Sequence, residues 1–267
     1  MGHPYIAHIR ESSGEIQSVR EHSLNTAKLC QEYGIPEWKA FLYVLGLLHD
    51  VGKYQCTFQK RIRGAAVRVE HSLCGALAAQ EKYPMPVSLM LEYCIAGHHA
   101  GLPDGGFAND TEDQPTLQGR LKREVEDFGE YQKELDLPEL DVPKWTQLLI
   151  GDCGKQVDRL VDKFAFLTRY AFSCLVDADS SDTAAFCREG TLPRSLKCNF
   201  SACLEKINHR LQSFVCHTPL QKARLCLQEQ AFRRAGERAE IYLLNMPTGS
   251  GKTLASVKIA LERALAE

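Results

Sequence analysis

Apolar residues recur at helical spacing through most of the chain. Leu24, Ala27, Leu29, Cys30 and Tyr33 fall on one helical repeat, and Gly34 and Pro36 end it, which predicts a helix over 23–33. A denser run, Phe41-Leu42-Tyr43-Val44-Leu45-Gly46-Leu47-Leu48, predicts a buried helix over 38–49 that stops at Val51-Gly52. Two more helices are predicted over 71–83 and 87–98, separated by Pro84 and Pro86. Residues 101–115 are rich in Gly, Asp, Asn and Pro and read as a loop. Charged stretches over 119–128 and 131–135 read as exposed helices. A long apolar helix is predicted over 158–178, ending in Asp177-Ala178-Asp179, with a polar loop after it to about Pro193. Helices over 199–215 and 219–234 follow. The texture then changes. Ile241-Tyr242-Leu243-Leu244 reads as a short buried strand, a glycine-rich turn comes next, and 254–265 is helical again. The expected fold is mainly α, with the first strand–loop–helix of an α/β domain attached.

Composition narrows the setting more than the fold. A length of 267 residues suits one large domain, or one domain and part of another. No apolar run is long enough to span a membrane, and the N-terminus lacks the order of a secretory signal. The eleven cysteines include no C-x-x-C pair, so they are expected to be reduced, buried small side chains of a cytoplasmic protein. Net charge is only −2, which gives no global signal for nucleic acid. The segment 188–238 is nevertheless basic, suited either to a phosphate backbone or to a solvated helix face.

The candidate chemistry lies in the histidines. Five of the nine stand at or near predicted helix ends: His22, His49, His71, His98 and His99. His49 is followed by Asp50. Side chains at helix ends can converge on one point from several segments. Imidazole nitrogen with carboxylate oxygen suits Mn, Fe, Co, Ni or Zn. Asp50 has two oxygens and can bridge two ions, which together would clamp a phosphate ester, activating water on one side and stabilising the leaving oxygen on the other. Lys53 can offset charge near Asp50 or meet a substrate phosphate. A late aspartate, Asp177 or Asp179, is the remaining candidate. Two residues apart on a helix, these point to different faces. Asp182 is expected to cap the next segment. His3, His8, His209 and His217 have no such setting and are given no role.

The turn Met246-Pro247-Thr248-Gly249-Ser250-Gly251-Lys252-Thr253 stands between the predicted strand and a helix. That is the context of a phosphate-binding loop, with Thr248 to Thr253 around the phosphates, Lys252 reaching β and γ, and Thr253 on Mg²⁺.

These segments together carry a resemblance. Gly46-Leu47-Leu48-His49-Asp50-Val51-Gly52-Lys53, Ala96-Gly97-His98-His99-Ala100-Gly101 and Phe172-Ser173-Cys174-Leu175-Val176-Asp177-Ala178-Asp179 resemble the HD nuclease domain of the type I CRISPR-associated helicase–nuclease. Pro-Thr-Gly-Ser-Gly-Lys-Thr resembles motif I of superfamily 2 helicases. The resemblance implies an HD-domain helical bundle over 1–215, a helical linker over 216–240, and the truncated start of a RecA-like helicase domain over 241–267. It implies a metal-dependent nuclease that cleaves single-stranded DNA, with Asp50 and Lys53 in catalysis. It assigns His22, His49, Asp50 and the late aspartate to one ion, and Asp50, His71, His98 and His99 to the other. Ala-Asp before a loop is the usual form in HD proteins, which selects Asp179. Two divalent ions are expected as cofactors, with Mn, Ni, Co, Fe, Mg and Zn all open. ATP with Mg, and a crRNA-guided surveillance complex as partner, are implied for the full-length protein. An HD-type phosphohydrolase acting on nucleotides, and a binding module without turnover, are the alternatives.

Overall fold

The computed structural model describes residues 4–151, 153, 156–188, 199–235 and 241–266. Two compact units divide the chain, Met1–Leu192 and Pro193–Glu267. The architecture is mainly α-helical, and no helix of the described residues is long and apolar enough to cross a membrane.

The first unit opens with an antiparallel hairpin that the helical spacing did not predict. β1 (Ile6–Ile9) pairs with β2 (Ile16–Ser18), with Ile9 opposite Ile16 and His8 opposite Gln17. Strands this short leave almost no periodic signal, so the pairing is held by tertiary contacts. Gln59 supplies them. Its side chain accepts from the Ile6 N–H and donates to the Ile6 and Lys53 carbonyls. Ser18 then caps α1 (Val19–Tyr33), accepting from the Glu21 N–H at 3.1 Å. The helix therefore starts four residues before its predicted position, and His22 lies in its first turn.

The rest of this unit is built on two helical hairpins. α1 turns back through a short 3-10 segment, Pro36–Trp38, into α2 (Lys39–Leu48). After α3 (Cys56–Ile62), α4 (Ser72–Lys82) turns back into α5 (Val87–Gly97). In each hairpin the start of the first helix and the end of the second come to the same end of the pair. His22 and His49 mark that end in one, and His71 and His98 in the other. α9 (Val157–Cys187) packs against α1, α2 and α5. α6 (Leu117–Arg120), α7 (Tyr131–Glu134) and α8 (Val142–Ile150) are short, and Trp145 of α8 stacks edge-on to Trp38 at 4.8 Å.

Glycine sets the closeness of the crossings. A Cβ on Gly46 would lie 2.5 Å from the Ala27 Cα, so α1 and α2 approach backbone to backbone. A Cβ on Gly52 would lie 2.0 Å from the His71 carbonyl oxygen, so the turn after Asp50 touches the entry to α4.

Three expectations are corrected. α9 does not end at Asp179 but continues to Cys187, because neither Gly nor Pro interrupts Ser180–Cys187 and Asp182 is drawn inward. The end of the predicted loop near Pro193 lies outside the described residues. The stretch 119–128 is mostly non-helical, since Leu121, Val125 and Phe128 pack on the core as an irregular segment. In the second unit, α10 (Phe200–Gln212) and α11 (Pro219–Ala235) form near their predicted positions, and α12 (Lys252–Ala266) begins at Lys252. Residues 241–244 form no strand, and Ile241 and Leu243 are exposed. A strand needs a ladder partner, and the described residues of this unit provide none. Among the described residues, the strand that would open a RecA-like domain is therefore not seen.

Substitution Gly52→Ala should force the Asp50 turn away from His71, at a cost of about 1–3 kcal/mol for overpacking. Denaturant unfolding of the variant against the parent checks this as a lower midpoint.

Candidate metal centre

The two hairpins and α9 bring the candidate ligands together. One set is His22, His49, Asp50 and Asp179, and the other is Asp50, His71, His98 and His99. Within each set the ligand atoms lie within 4.8 Å of one another. Asp50 is common to both and is 1% exposed. Its oxygens divide the sets. Oδ2 is 3.3 Å from the Nε2 of His22 and of His49, and Oδ1 is 3.6 Å from His71 Nε2 and 3.5 Å from His98 Nε2. Asp179 Oδ1 lies 3.2 Å from His22 Nε2. Asp177 is exposed and outside both sets.

Local chemistry aims three of the imidazoles, those of His22, His49 and His98. A helix end leaves carbonyls without partners. His49 Nδ1 bonds the Gly46 carbonyl at 2.8 Å, and His98 Nδ1 bonds the Ile95 carbonyl at 2.7 Å. Both rings therefore donate through Nδ1 to the residue three before them, which leaves Nε2 free to act as a ligand. His22 achieves the same with a carboxylate. Its Nδ1 meets Asp182 Oδ2 at 2.7 Å, and Gln17 of β2 donates to that same oxygen at 2.8 Å. Asp182 is thus a ring-orienting residue and not the cap expected of it. Its spacing of three from Asp179, which puts both on one helix face, is the signal that could have found it.

The residues present fit divalent ions. Asp50 Oδ1 and His98 Nε2 are buried without a hydrogen-bond partner, which is costly unless a cation meets them. The pairs His22 Nε2–His49 Nε2, 3.2 Å apart, and His71 Nε2–His99 Nε2, 2.8 Å apart, point nitrogens at each other within a donor set of imidazole and carboxylate.

Electrostatics differ between the sets. Burial acts to lower the His22 imidazole, but hydrogen bonds to Asp179, Asp182 and Asp50 overcome it and raise it to about 10. His49 follows the same pattern, lowered by burial but raised to about 9 by Asp50 and Asp179. Asp50 and Asp179 are held below the usual carboxylate range despite burial, Asp50 chiefly by Lys53 and His49, Asp179 by its bonds to His22 and His49. His71 is pushed down to about 4, by burial above all and with His99 and Lys53 adding to it. His99 is lowered by burial and by His98.

Lys53 is buried and its Nζ sits 2.7 Å from Asp50 Oδ2, so it offsets charge at the carboxylate common to both sets. His8, given no role in the sequence reading, stands beside it. Its Nε2 accepts from Lys53 Nζ at 3.3 Å, and its ring meets His22 edge-on at 4.7 Å. Burial, then Lys53 and His22, lower its pKa to about 3, so the ring is neutral. No sequence signal marks His8, because its place depends on the unpredicted hairpin. Arg120 was also missed. Its guanidinium donates to the Ala96 carbonyl at 2.7 Å and to Ser72 Oγ at 3.2 Å. Ser72 follows His71 and Ala96 precedes His98 by two, so one side chain ties together the two helix ends of the second set. His209 and His217 lie in the second unit, and His3 lies outside the described residues.

The glycine-rich turn is described within its own unit. Gly249 and Gly251 have φ of +79° and +88°, and Gln228 donates to the Ser250 carbonyl at 2.9 Å. Thr248, Lys252 and Thr253 are exposed, and Ser250 is buried.

Arg120→Ala should weaken the ion held by Asp50, His71, His98 and His99 by about 10–100-fold, the usual cost of losing an outer support, and spare the other ion. Metal titration read as stoichiometry and two affinities checks this. The protons on His22 and His49 must leave when an ion binds between them. Affinity at that set should therefore rise with pH from 6 to 9, by up to about ten-fold per unit for each proton released. Calorimetry in buffers of different ionisation heat measures the release directly.

Residues 19–142 match the family model of the HD domain, a segment that holds every member of both sets except Asp179. No curated protein matches the sequence. The chain thus carries an HD domain whose buried His and Asp clusters have the donor chemistry of a metal-dependent phosphohydrolase.

Proposed function

We propose that this phosphohydrolase site cleaves phosphodiester bonds in single-stranded DNA, as the HD nuclease part of a type I CRISPR helicase–nuclease. The observation that carries the hydrolytic reading is the shared carboxylate, one oxygen of Asp50 toward each histidine set. The finer reading rests on the motif order His49-Asp50, His98-His99 and Asp179, followed by Pro-Thr-Gly-Ser-Gly-Lys-Thr. Divalent ions, when held by the two sets, supply polarisation of the phosphoryl oxygen and a water of lowered pKa. The chain's own residues do the rest. Asp50 fixes the two sets at one spacing, Asp182 and the helix-end carbonyls hold the rings in register, and Lys53 places a cation beside the bridging carboxylate. A helicase built on Thr248–Thr253 would add ATP and Mg, and a crRNA-guided surveillance complex would deliver the DNA.

The second reading is an HD phosphohydrolase acting on nucleotides. The family match favours it, since that match is to the HD domain in general and includes no part of a helicase.

Purified protein should cleave circular and linear single-stranded DNA with Mn²⁺, Ni²⁺ or Co²⁺, and Asp50→Ala should fall to background. A mononucleotide panel run beside the DNA separates the readings. Turnover of nucleotides with intact DNA would replace the first by the second, and unchanged cleavage by Asp50→Ala would overturn both.

A further inference from the structure

The metal centre is closed on one side and open on the other. His22, His49 and His98 are buried, whereas His99 is exposed and His71 is partly so. A substrate therefore reaches the cluster along the His71–His99 edge. The chain that leads to this edge is cationic. Residues 59–69 contain Lys60, Arg61, Arg63 and Arg68 and no carboxylate.

Two connections place these cations beside the open edge. Phe58 of α3 packs its ring 5.2 Å from the His71 ring, and Arg61 lies one helical turn further along the same face. Gly64, at φ +102°, turns the chain after α3, and residues 65–70 run without helix to His71. Arg68 is three residues before that histidine, within about 10 Å along even an extended chain. Arg63 is engaged, donating to the Gln59 carbonyl. Lys60, Arg61 and Arg68 are exposed and take part in none of the ion pairs of the described residues. Arg10, Lys82, Lys133 and Lys258, by contrast, each pair with a carboxylate. Glu70, next to His71, is held by Arg120 at 3.5 Å and Arg123 at 4.0 Å, and Glu126 accepts from the Thr57 N–H at the start of α3 at 2.9 Å. The approach thus presents three cations, Lys60, Arg61 and Arg68, that no ion pair of the described residues takes up.

We propose that Arg61 and Arg68 bind the phosphates that flank the scissile bond, so that the site takes a polynucleotide strand in preference to a free nucleotide. A mononucleotide ends at the metal centre and gains nothing from cations further out. A strand continues past it, and each cation that neutralises a flanking phosphate releases counterions condensed on the strand. The proposal rests on the reading of this centre as a phosphodiester hydrolase.

The test is anisotropy of a labelled single-stranded oligonucleotide with the full chain in EDTA, across a salt series. The double variant Arg61→Gln/Arg68→Gln should bind roughly ten-fold or more weakly at low salt, with a log–log salt slope shallower by about 1.4, at 0.7 for each phosphate lost. The single variant Arg68→Gln, in an extended exposed segment, should show about half that change in slope and decides the matter if the double variant does not fold. With metal added, the kcat/KM ratio of oligonucleotide to dinucleotide should fall, mainly through KM. Affinity and slope equal to the parent's would overturn the proposal. Absence of any hydrolysis by the parent, of strand or nucleotide, would instead overturn the phosphohydrolase reading beneath it.

Discussion

A carboxylate buried at the meeting point of three helical elements governs this molecule. Asp50 is almost wholly removed from water, and an ionised carboxylate there is costly unless opposite charge and hydrogen-bond donors surround it. The fold arranges that surrounding unequally. Lys53 and two imidazoles held in the charged form face Oδ2, and uncharged His71 faces Oδ1. Half of the compensation is thus present in the protein itself. At Oδ1 the carboxylate is buried without a hydrogen-bond partner, which suits it to a cation. A packed bundle could have filled this space with apolar side chains at lower cost, so the polar centre marks function rather than stability.

The scaffold serves that centre in a simple way. Two helical hairpins bring four helix ends to one place, and helix ends already have spare carbonyls. His49 and His98 use these carbonyls as ring anchors, so backbone groups that would otherwise lack partners fix the tautomer. Where no spare carbonyl is available, His22 uses Asp182 from α9. The bare glycines at positions 46 and 52 let the hairpins close to backbone distance, which keeps the two sets within reach of one carboxylate. Packing and ligand spacing are therefore one constraint.

The helices of the bundle were legible because apolar residues at 3.6 spacing report burial of one face directly. The ligand types were legible for a similar reason, since His-Asp and His-His at helix ends have few other uses in combination. What depended on contacts between distant segments was not legible. β1 and β2 are too short to show alternation, and with them His8 and Gln17 were lost from view. A run of Ser and Asp reads as a helix end and puts Asp182 in a loop, whereas its bond to His22 keeps it inside α9. Arg120 carries no local mark at all, since its role is set by Ala96 and Ser72. At 241–244 the error ran the other way. An apolar tetrad has the composition of a buried strand, but strand formation is a property of a sheet, and no partner strand stands beside it among the described residues.

The unequal exposure of the histidines bears on substrate choice. A centre enclosed on every side would admit only what fits a cavity, and its specificity would come from contacts to a base or a sugar. Here one edge is open, and the segments beside it carry charge rather than shape. Charge recognises the repeating element of a polymer and is indifferent to sequence. Shape complementarity at a small ligand would demand convergent polar groups around a closed pocket. An edge flanked by free arginines thus gives a physical reason to prefer a strand, and that reason is independent of the glycine-rich turn and of any likeness to a helicase.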